Sequence, residues 1–555
     1  MTGGQTHTEG WAMLPWKQFE RTIFRLQKRI YKATQRGDFK QVRNLQRLLL
    51  RSYSARCLAV RRVTQDNRGK RTAGVDGIAK VAPVLRLHMV DLLRNLRQPA
   101  SPIRRVYIPK RNSPEMRPLG IPIMLDRALQ ALVKLAIEPG PEGTPEAKFE
   151  PNSYGFGCPL GAGRRCHDAL EAIYNYIRLK PKFVLDADIE KCFDRIDHEA
   201  LLAKLSTIPV ITDLVRGWLK AGIFEKGIIA PSEAGTPQGG VISPLLANIA
   251  LHGMETALVE SLPKSRKPAI IRYADDFVIL HEDLTTLLKL KEQAEEWLTT
   301  MGLNLKTAKT RITHTLDKHE GNVGFDFLGF TVRQFKISKR HARLGFKTFF
   351  KPSKASQQRH LAEMAEVVYK HRGSNQTALL TELNPKVRGW TNYYRVCTAK
   401  KVFDRMDSQI HWKLLRWAKR RHPHKHYGWC RDRYWQRKRE RLDFCDGNAI
   451  LIKYADAKIR RHVKVQATKS PFDGDWAYWL PRLHKDPSLS ERVVFLLNRQ
   501  KCRCGKCGLR FRSDDLLEVH HKDRNRAQGA PDNQLSNLEL LHGHCHDEVH
   551  RELCS

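Results

Sequence analysis

The sequence predicts a multidomain α+β protein, and three observations carry that prediction. A strand–turn–strand pattern, Ala269-Ile-Ile-Arg-Tyr-Ala-Asp-Asp-Phe-Val-Ile-Leu280, delivers paired carboxylates to one point. Stretches with helical apolar spacing lie on both sides of it, over residues 11–65 and 355–420. The C-terminal stretch carries cysteines and histidines at metal-ligand spacing. A chain of 555 residues has room for several such units.

In the first pattern, β-rich runs at Ile270–Tyr273 and Phe277–Leu280 flank a tight acidic turn at Asp275 and Asp276. An isolated Asp-Asp pair is ordinary turn chemistry. This pair is not isolated. Upstream, Phe183-Val-Leu-Asp-Ala-Asp-Ile189 is a second β-rich run, and a strand ending at Asp188 brings a third carboxylate beside the hairpin tip. Hard oxygen ligands gathered at one point hold Mg²⁺, and two such ions clamp the attacking and leaving oxygens of phosphoryl transfer. Phe193 follows five residues after Asp188, placed to close under an incoming sugar. Gly235-Thr-Pro-Gln-Gly-Gly-Val-Ile-Ser-Pro-Leu-Leu246 joins glycines that let backbone approach a ligand closely to an apolar run suited to a buried helix.

The order of these three blocks resembles the palm of reverse transcriptases, most closely that of the group II intron maturases, whose catalytic box Tyr273-Ala-Asp-Asp276 is similar to. The resemblance implies a right-hand fingers–palm polymerase. Asp188, Asp275 and Asp276 would be catalytic ligands of two Mg²⁺ ions, and Phe193 the steric gate against a ribose 2′-hydroxyl. Gln238 and Gly239 would line the nucleotide and template site. Two short basic strands, Arg104–Lys110 and Met116–Pro122, precede a helix from about Asp126 to Ile137 and resemble the family's fingers hairpin. There Lys110 and Arg117 fall where cations meet an incoming triphosphate; taken singly, each is nearly as well read as an ordinary exposed strand charge. Lys309, in Gly302–Thr310, matches a family lysine, and Phe325–Phe330 resembles the primer-grip strands.

One loop departs from the family. Where the family reads Tyr-Gly-Phe-Arg-Pro-Gly-Arg, this chain has Tyr154-Gly-Phe-Gly-Cys-Pro-Leu-Gly-Ala-Gly-Arg-Arg165, and Pro139–Pro145 reads as an insertion. Gly157 replaces an arginine, with Arg164 or Arg165 as substitutes for its phosphate contact. This departure keeps an alternative open, a non-catalytic maturase acting as an RNA-binding splicing factor with a degenerate polymerase. The intact aspartates oppose it. A reverse transcriptase of another lineage with an appended nuclease is opposed by the thumb and the terminal module.

Charge points to the partner. With 98 Lys+Arg against 58 Asp+Glu the formal net charge is +40, which makes nucleic acid the leading ligand. No run approaches the ~18 apolar residues of a membrane span. The N-terminus shows neither a secretory nor a transit pattern, so the expectation is a bacterial cytoplasm with action at the nucleoid, rather than an organelle. The cysteine spacing suits a reducing compartment. Phe19, Ile23, Leu26 and Ile30 form an apolar helical stripe that Phe39, Val42, Leu45 and Leu49 resume after Gly37, and the basic opposite faces are expected on RNA phosphates. Leu383–Arg395 resembles the maturase thumb, domain X; Gly389 is expected to allow close helix approach, with Trp390, Tyr393 and Tyr394 as apolar bodies with polar handles. From His411 to Arg441 basic residues interleave with Trp412, Trp417, Trp429 and Trp435, a nucleic-acid surface overall in which the individual tryptophans are better read as core. Lys453, Lys458, Arg460, Arg461, Lys464 and Lys469 mark the family's DNA-binding segment, and Pro471–Trp479 reads as a turn-rich connection.

At the C-terminus Cys504-Gly-Lys-Cys507 and His542-Gly-His-Cys545 together offer a tetrahedral Cys₃His structural Zn²⁺ site, with Cys502 as an alternative ligand. His546 and His550 lie one helical turn apart, able to share an ion. With Glu518-Val-His-His521 and Ser536-Asn-Leu-Glu539 this resembles the HNH nucleases, a ββα-metal module. The resemblance implies His520, His546 and His550 as ligands of a catalytic Mg²⁺ or Mn²⁺, His521 as general base and Asn537 as the residue that orients the module or the base. A purely structural zinc finger explains the cysteines but leaves the histidine pairs unused.

The expected division is 1–100, basic N-terminal extension and start of the fingers; 101–350, fingers and palm; 351–442, thumb; 443–498, DNA-binding segment; 499–555, HNH endonuclease. The implied function is that of a group II intron-encoded protein. It would bind its intron RNA and assist splicing, nick a double-stranded DNA target, and extend the nick with dNTPs on the intron template.

Overall fold

The computed structural model describes residues 10–11, 13–109, 116–140, 150–155, 164–263, 267–438, 441–447, 449–467, 469–484, 489–511, 515–523 and 534–552. Lys110 and the Gly157 loop therefore lie outside the described residues.

At the centre is a five-stranded sheet in the order Ser153–Tyr154, Ala269–Tyr273, Asp276–His281, Phe183–Asp188, Arg311–His314. Side chains alternate across a strand, and here both faces are buried. Leu185, Ala187, Ile270, Phe277 and Ile279 enter one core with the N-terminal helices and the helix Leu284–Thr299. Val184, Ala269, Ile271, Val278 and Leu280 enter a second core with the helix Cys166–Ile177 and the thumb. The near-continuous apolar runs in these strands follow from that double burial.

The helices Trp16–Gln35, Phe39–Arg51 and Tyr53–Arg61 open the described fold. Gly37 takes φ +71° between the first two, and Asp38 caps the second by accepting from the Gln41 N–H at 3.0 Å. The predicted stripe is buried except for Phe39, 42 % exposed, which sits at the first helical position outside the packed face. In the fingers, Ile103–Pro109 pairs with Met116–Ile121 and the helix Met124–Ile137 follows, close to the predicted bounds. Beyond the prediction, Ile103 and Arg104 also pair in parallel with Ile223 and Phe224, and the strand Ile228–Ala230 extends that sheet.

The thumb consists of the helices Lys354–Lys370, Gln376–Tyr394 and Lys400–Arg421. A Cβ at Gly389 would meet nothing within 4 Å, so the close approach expected there is absent. It falls at Gly329 instead, φ +80°, where a Cβ would stand 2.8 Å from the Tyr394 hydroxyl. The Tyr393 hydroxyl donates to the Leu328 carbonyl at 2.9 Å, and Trp390 stacks on His360 at 5.0 Å. Phe330, fully buried, meets the rings of Tyr393 and Tyr394 at 5.3 and 4.8 Å and so joins the palm-side sheet to the thumb.

Trp417 and Trp435 are buried against Phe444, whereas Trp412 is 56 % exposed. The strand Arg441–Asp446 runs through the 442/443 division. In the following segment Lys453, Arg460 and Lys469 are ion-paired with Asp443, Glu491 and Asp475. Buried Asp168 accepts from the Val465 N–H at 2.7 Å and lies 2.9 Å from His462, which fastens this segment to the palm. Trp476–His484 is a helix, so the predicted turn-rich connection ends before Trp476. Among the described residues no helix is long and apolar enough to cross a membrane. The substitution Phe330→Ala is expected to cost about 3–5 kcal/mol, read by calorimetry as a lowered unfolding midpoint for the palm–thumb transition.

Candidate active sites and metal centres

Strand register brings the palm acids to one level. Asp188 stands opposite Asp276 in one antiparallel ladder, and Tyr273 stands opposite Asp276 in the hairpin. The turn itself is Ala274–Asp275, so Asp276 belongs to the strand and not to the predicted turn. Two-residue hairpin loops favour positive φ, and Ala274 takes φ +54°. For a residue with a Cβ this conformation costs about 1–3 kcal/mol, and the surroundings hold it there. The Ala274 N–H donates to the Tyr154 carbonyl at 3.0 Å, and the Ala274 carbonyl accepts from Arg272 at 3.0 Å. Arg272, 2 % exposed, also donates to Asn248 Oδ1 at 3.0 Å and to the Ser153 hydroxyl. Arg272 belongs to none of the catalytic motifs legible in the sequence. Its signal was a cation inside an apolar strand, where charge is costly unless paired.

The acids crowd one another. Burial, then Asp188, raises the Asp275 carboxyl above its ordinary range. Asp276, though its side chain reaches solvent, is pushed up to about 7 by lost hydration and then by Asp275 and Asp188. Burial pushes Asp186, on the same strand, up to about 6. Lys309 donates to Asp188, and that bond raises the lysine above its ordinary value. Carboxylates that resist simultaneous ionisation form a donor set that a hard divalent cation relieves. Asp188 and Asp275 offer such oxygen donors to one cleft, although the three carboxylates are not drawn within 4.8 Å of one another as the histidine and cysteine clusters are.

A cleft of 1080 Å³ lies over them, and Arg117, Phe193, Gln238, Gly239, Asp188, Asp275 and Lys309 all line it. Arg105, Tyr107, Lys191 and Lys306, to which sequence analysis gave no role, line it too. The glycines of the 235–240 loop work differently from the expectation. A Cβ at Gly235 would stand 2.6 Å from the Phe193 carbonyl oxygen, and one at Gly239, φ +122°, 2.8 Å from that of Gly120. Their close approach is to protein backbone, and it clamps the loop between the fingers and the Phe193 turn. The Gln238 carbonyl accepts from the Gly120 N–H at 2.7 Å, and its amide reaches Asp194 at 3.4 Å. Arg164 donates to the carbonyls of Glu150 at 2.6 Å and Ala467 at 3.1 Å.

The second site is a ββα unit, in which Leu517–His521 pairs with Leu538–His542 and the helix Gly543–Glu552 follows. His520, His546 and His550 bring ring nitrogens within 4.8 Å of one another, with 3.0 Å between the Nε2 atoms of the last two. Neighbouring strand residues face opposite ways, so His521, half-buried and opposite Leu538, lies on the other side of the strand from His520. The Asn537 side chain accepts from the Asp523 N–H at 2.9 Å and donates to the Asp523 carbonyl at 3.1 Å, pinning the chain just after His521.

Cys504, Cys507, His542 and Cys545 form a second cluster within 4.8 Å, and Cys502 lies outside it. The His542 Nδ1 atom is 3.3 Å from the Cys507 sulfur and 3.9 Å from that of Cys545. Hydrogen bonds from Cys507 and Cys545 hold the Cys504 thiol far below its ordinary range. A thiolate-prone Cys₃His set suits a tetrahedral structural metal.

A palm sheet with three acids under a fingers hairpin, followed by a helical thumb, defines a template-directed nucleic-acid polymerase; the ββα unit with its histidine trio defines a metal-dependent nuclease. Comparison with known families agrees segment by segment. Residues 11–93 match the N-terminal domain of reverse transcriptase, and residues 108–332 match reverse transcriptase (RNA-dependent DNA polymerase). Residues 357–435 match the group II intron maturase-specific domain, and residues 504–552 match HNH endonuclease. Protein YkfC of Escherichia coli (strain K12) is 31% identical over 328 residues, covering 51% of this chain and 80% of that protein. Group II intron-encoded protein LtrA of Lactococcus lactis subsp. cremoris is 36% identical over 187 residues, 33% of this chain and 30% of LtrA. Maturase-like protein 1 of Euglena gracilis is 25% identical over 388 residues, 68% of this chain and 76% of that protein. The chain belongs to the group II intron-encoded reverse transcriptase/maturases with a C-terminal HNH endonuclease domain.

Two predictions follow from the palm geometry. Arg272→Met, which removes the donor to the Ala274 carbonyl, is expected to lower primer-extension kcat on the order of 10²-fold with the fold retained by circular dichroism. The second concerns pH. A carboxyl whose folded pKa is raised stabilises the fold at low pH and loses that contribution as pH rises through the folded value. Asp276 therefore costs the metal-free chain stability increasingly from about pH 4 to 7 and fully above, and a divalent cation removes the penalty by displacing its proton. Calorimetric Mg²⁺ titrations are expected to show affinity rising from pH 5 to 7, with proton release, and levelling above.

Proposed function

We infer that the polymerase cleft carries out RNA-templated DNA synthesis primed by a DNA 3′-hydroxyl, within a ribonucleoprotein formed with the group II intron RNA. The observation that carries this reading is the single cleft shared by Arg117, Phe193, Gln238, Gly239, Asp188, Asp275 and Lys309. Asp188, Asp275 and Asp276 would hold the metal ions; two Mg²⁺ bound there supply Lewis-acid activation and charge neutralisation for in-line attack on the dNTP α-phosphate. Arg117 and Lys309 place cations beside the triphosphate. Phe193 blocks the space a ribose 2′-hydroxyl needs, and the clamped Gln238–Gly239 loop supports nucleotide and template. Positioning is what the protein contributes most to such a reaction.

In the nuclease module His521 takes a proton from water, with its strand held by Asn537. His520, His546 and His550 would hold the metal, Mg²⁺ or Mn²⁺, that polarises the scissile phosphate. Zn²⁺ on Cys504, Cys507, His542 and Cys545 would be structural. The nicked strand of a double-stranded DNA target then supplies the primer. The non-catalytic maturase alternative is not favoured, since the acids and the cleft are intact.

Primer extension on an RNA template with Mg²⁺ and dNTPs is expected from the wild-type chain and lost in Asp275→Ala. A wild-type chain that promotes splicing of its intron yet extends no primer would sink the polymerase reading. His521→Ala is expected to slow DNA nicking by about 10²–10⁴-fold while primer extension on a pre-nicked substrate stays unchanged.

A further inference from the structure

The helix Gly543–Glu552 has two working faces. His546 and His550 face His520 across the metal-binding notch. His544, on the opposite side, stacks on His542 with ring centroids 5.2 Å apart and lies in the electric field of Arg61 and Glu20. Those two residues belong to the N-terminal helices, and the short helical segment Arg62–Asp66 packs against the nuclease helix.

Arg61 is the centre of the contact. It is 4 % exposed, donates to Glu20 at 2.7 Å and to Asp66 at 3.3 Å, and lies over the Trp16 ring at 4.8 Å. Its remaining amino group, Nη1, is buried with no hydrogen-bond partner among the described residues. Burial and the pairing of Arg61 with Asp66 and Glu20 dominate the electrostatics of this cluster, and Asp515, preceding the first nuclease strand, lies near enough to add a smaller contribution. On its other side the Asp515 carboxylate stands 3.2 Å from Nε2 of His542, the ring whose Nδ1 faces the knuckle thiols. A carboxylate behind a ligating imidazole fixes its tautomer and orientation and raises its basicity as a ligand. Away from this cluster, Trp476 meets Phe24 of the first N-terminal helix at 5.6 Å, with Arg510 over its ring.

We propose that Asp515 is a positioning residue of the knuckle, holding His542 for the metal on one side and facing Arg61 on the other, so that metal loading latches the nuclease onto the N-terminal helices. The proposal rests on the structural-zinc reading of the four-residue cluster. Its consequence is geometric. The docking face carries His544 while the histidine trio faces away, so the latch fixes the nuclease relative to the RNA-gripping end of the chain without covering its metal site.

The test uses the full chain and Zn²⁺ itself. Affinity is measured by competition with a chromophoric chelator, and the N-terminal contact by amide hydrogen exchange over residues 62–66. Wild type is expected to bind Zn²⁺ at the knuckle and to lose protection over 62–66 when the metal is stripped. Asp515→Ala is expected to bind Zn²⁺ about tenfold or more weakly, the range seen when an outer carboxylate is removed. Asp515→Asn, which keeps an acceptor for the imidazole but not the charge, is expected to lose less affinity than Asp515→Ala and still lose protection over 62–66. Wild type with no Zn²⁺ at the knuckle overturns the zinc reading and the proposal with it. Normal Zn²⁺ binding with Asp515→Ala as tight as wild type overturns the role of Asp515 alone. Protection over 62–66 that ignores both chelation and Asp515→Asn overturns the latch.

Discussion

The polymerase site depends on one pairing, that of Phe183–Asp188 with the hairpin strand Asp276–His281. A slip of a single residue in a strand sends every side chain to the other face. Here that slip is forbidden on both sides, because Leu185 and Ala187 fill one core while Val184 fills another. The register is therefore held by apolar packing well away from the chemistry, and Asp188 opposite Asp276 is its consequence. Asp275 and Asp276 oppose this arrangement, since burial and the neighbouring carboxylates make both resist ionising. Hydrophobic burial holds together what electrostatics would separate.

The hairpin tip shows the same division of labour. Ala274 sits in a left-handed conformation that costs energy, and the short strand at Ser153–Tyr154 and the buried Arg272 hold it there. Around the cleft the glycines of the 235–240 loop allow backbone to press on backbone, from Phe193 on one side and Gly120 on the other. A strained turn and a clamped loop facing one cleft are a rigid frame for mobile substrates. The cations that line the cleft, Arg105, Arg117, Lys191, Lys306 and Lys309, bring positive charge to a site whose substrates are polyanions.

The nuclease solves its problem with less chain. A two-stranded ladder and one helix place three imidazoles together, and the alternation of a strand separates His520 from His521 by face alone. Its small core is completed by Leu496 and Leu497 of the helix Glu491–Arg499, which precedes the 498/499 division except for its last residue. A module this short has little room for a hydrophobic core of its own.

The sequence by itself determined the local elements and the chemistry they carry. The acidic hairpin, the Asp188 strand, the fingers strands, the Cys-x-x-Cys pair and the one-turn spacing of His546 and His550 are each made of residues close together in the chain, where period and spacing speak directly. Tertiary structure decided whatever needed a distant partner. Arg272 finds Ser153 and Asn248 across separations of 119 and 24 residues. The fingers gain a parallel strand at Ile223–Glu225, and the close approach at the thumb moves from Gly389 to Gly329. Arg164 turns to the carbonyls of Glu150 and Ala467, and Asp515 to His542. Side-chain periodicity states which face of an element is buried but not against which other element, and a buried charge reveals its role only when the group that neutralises it is in place.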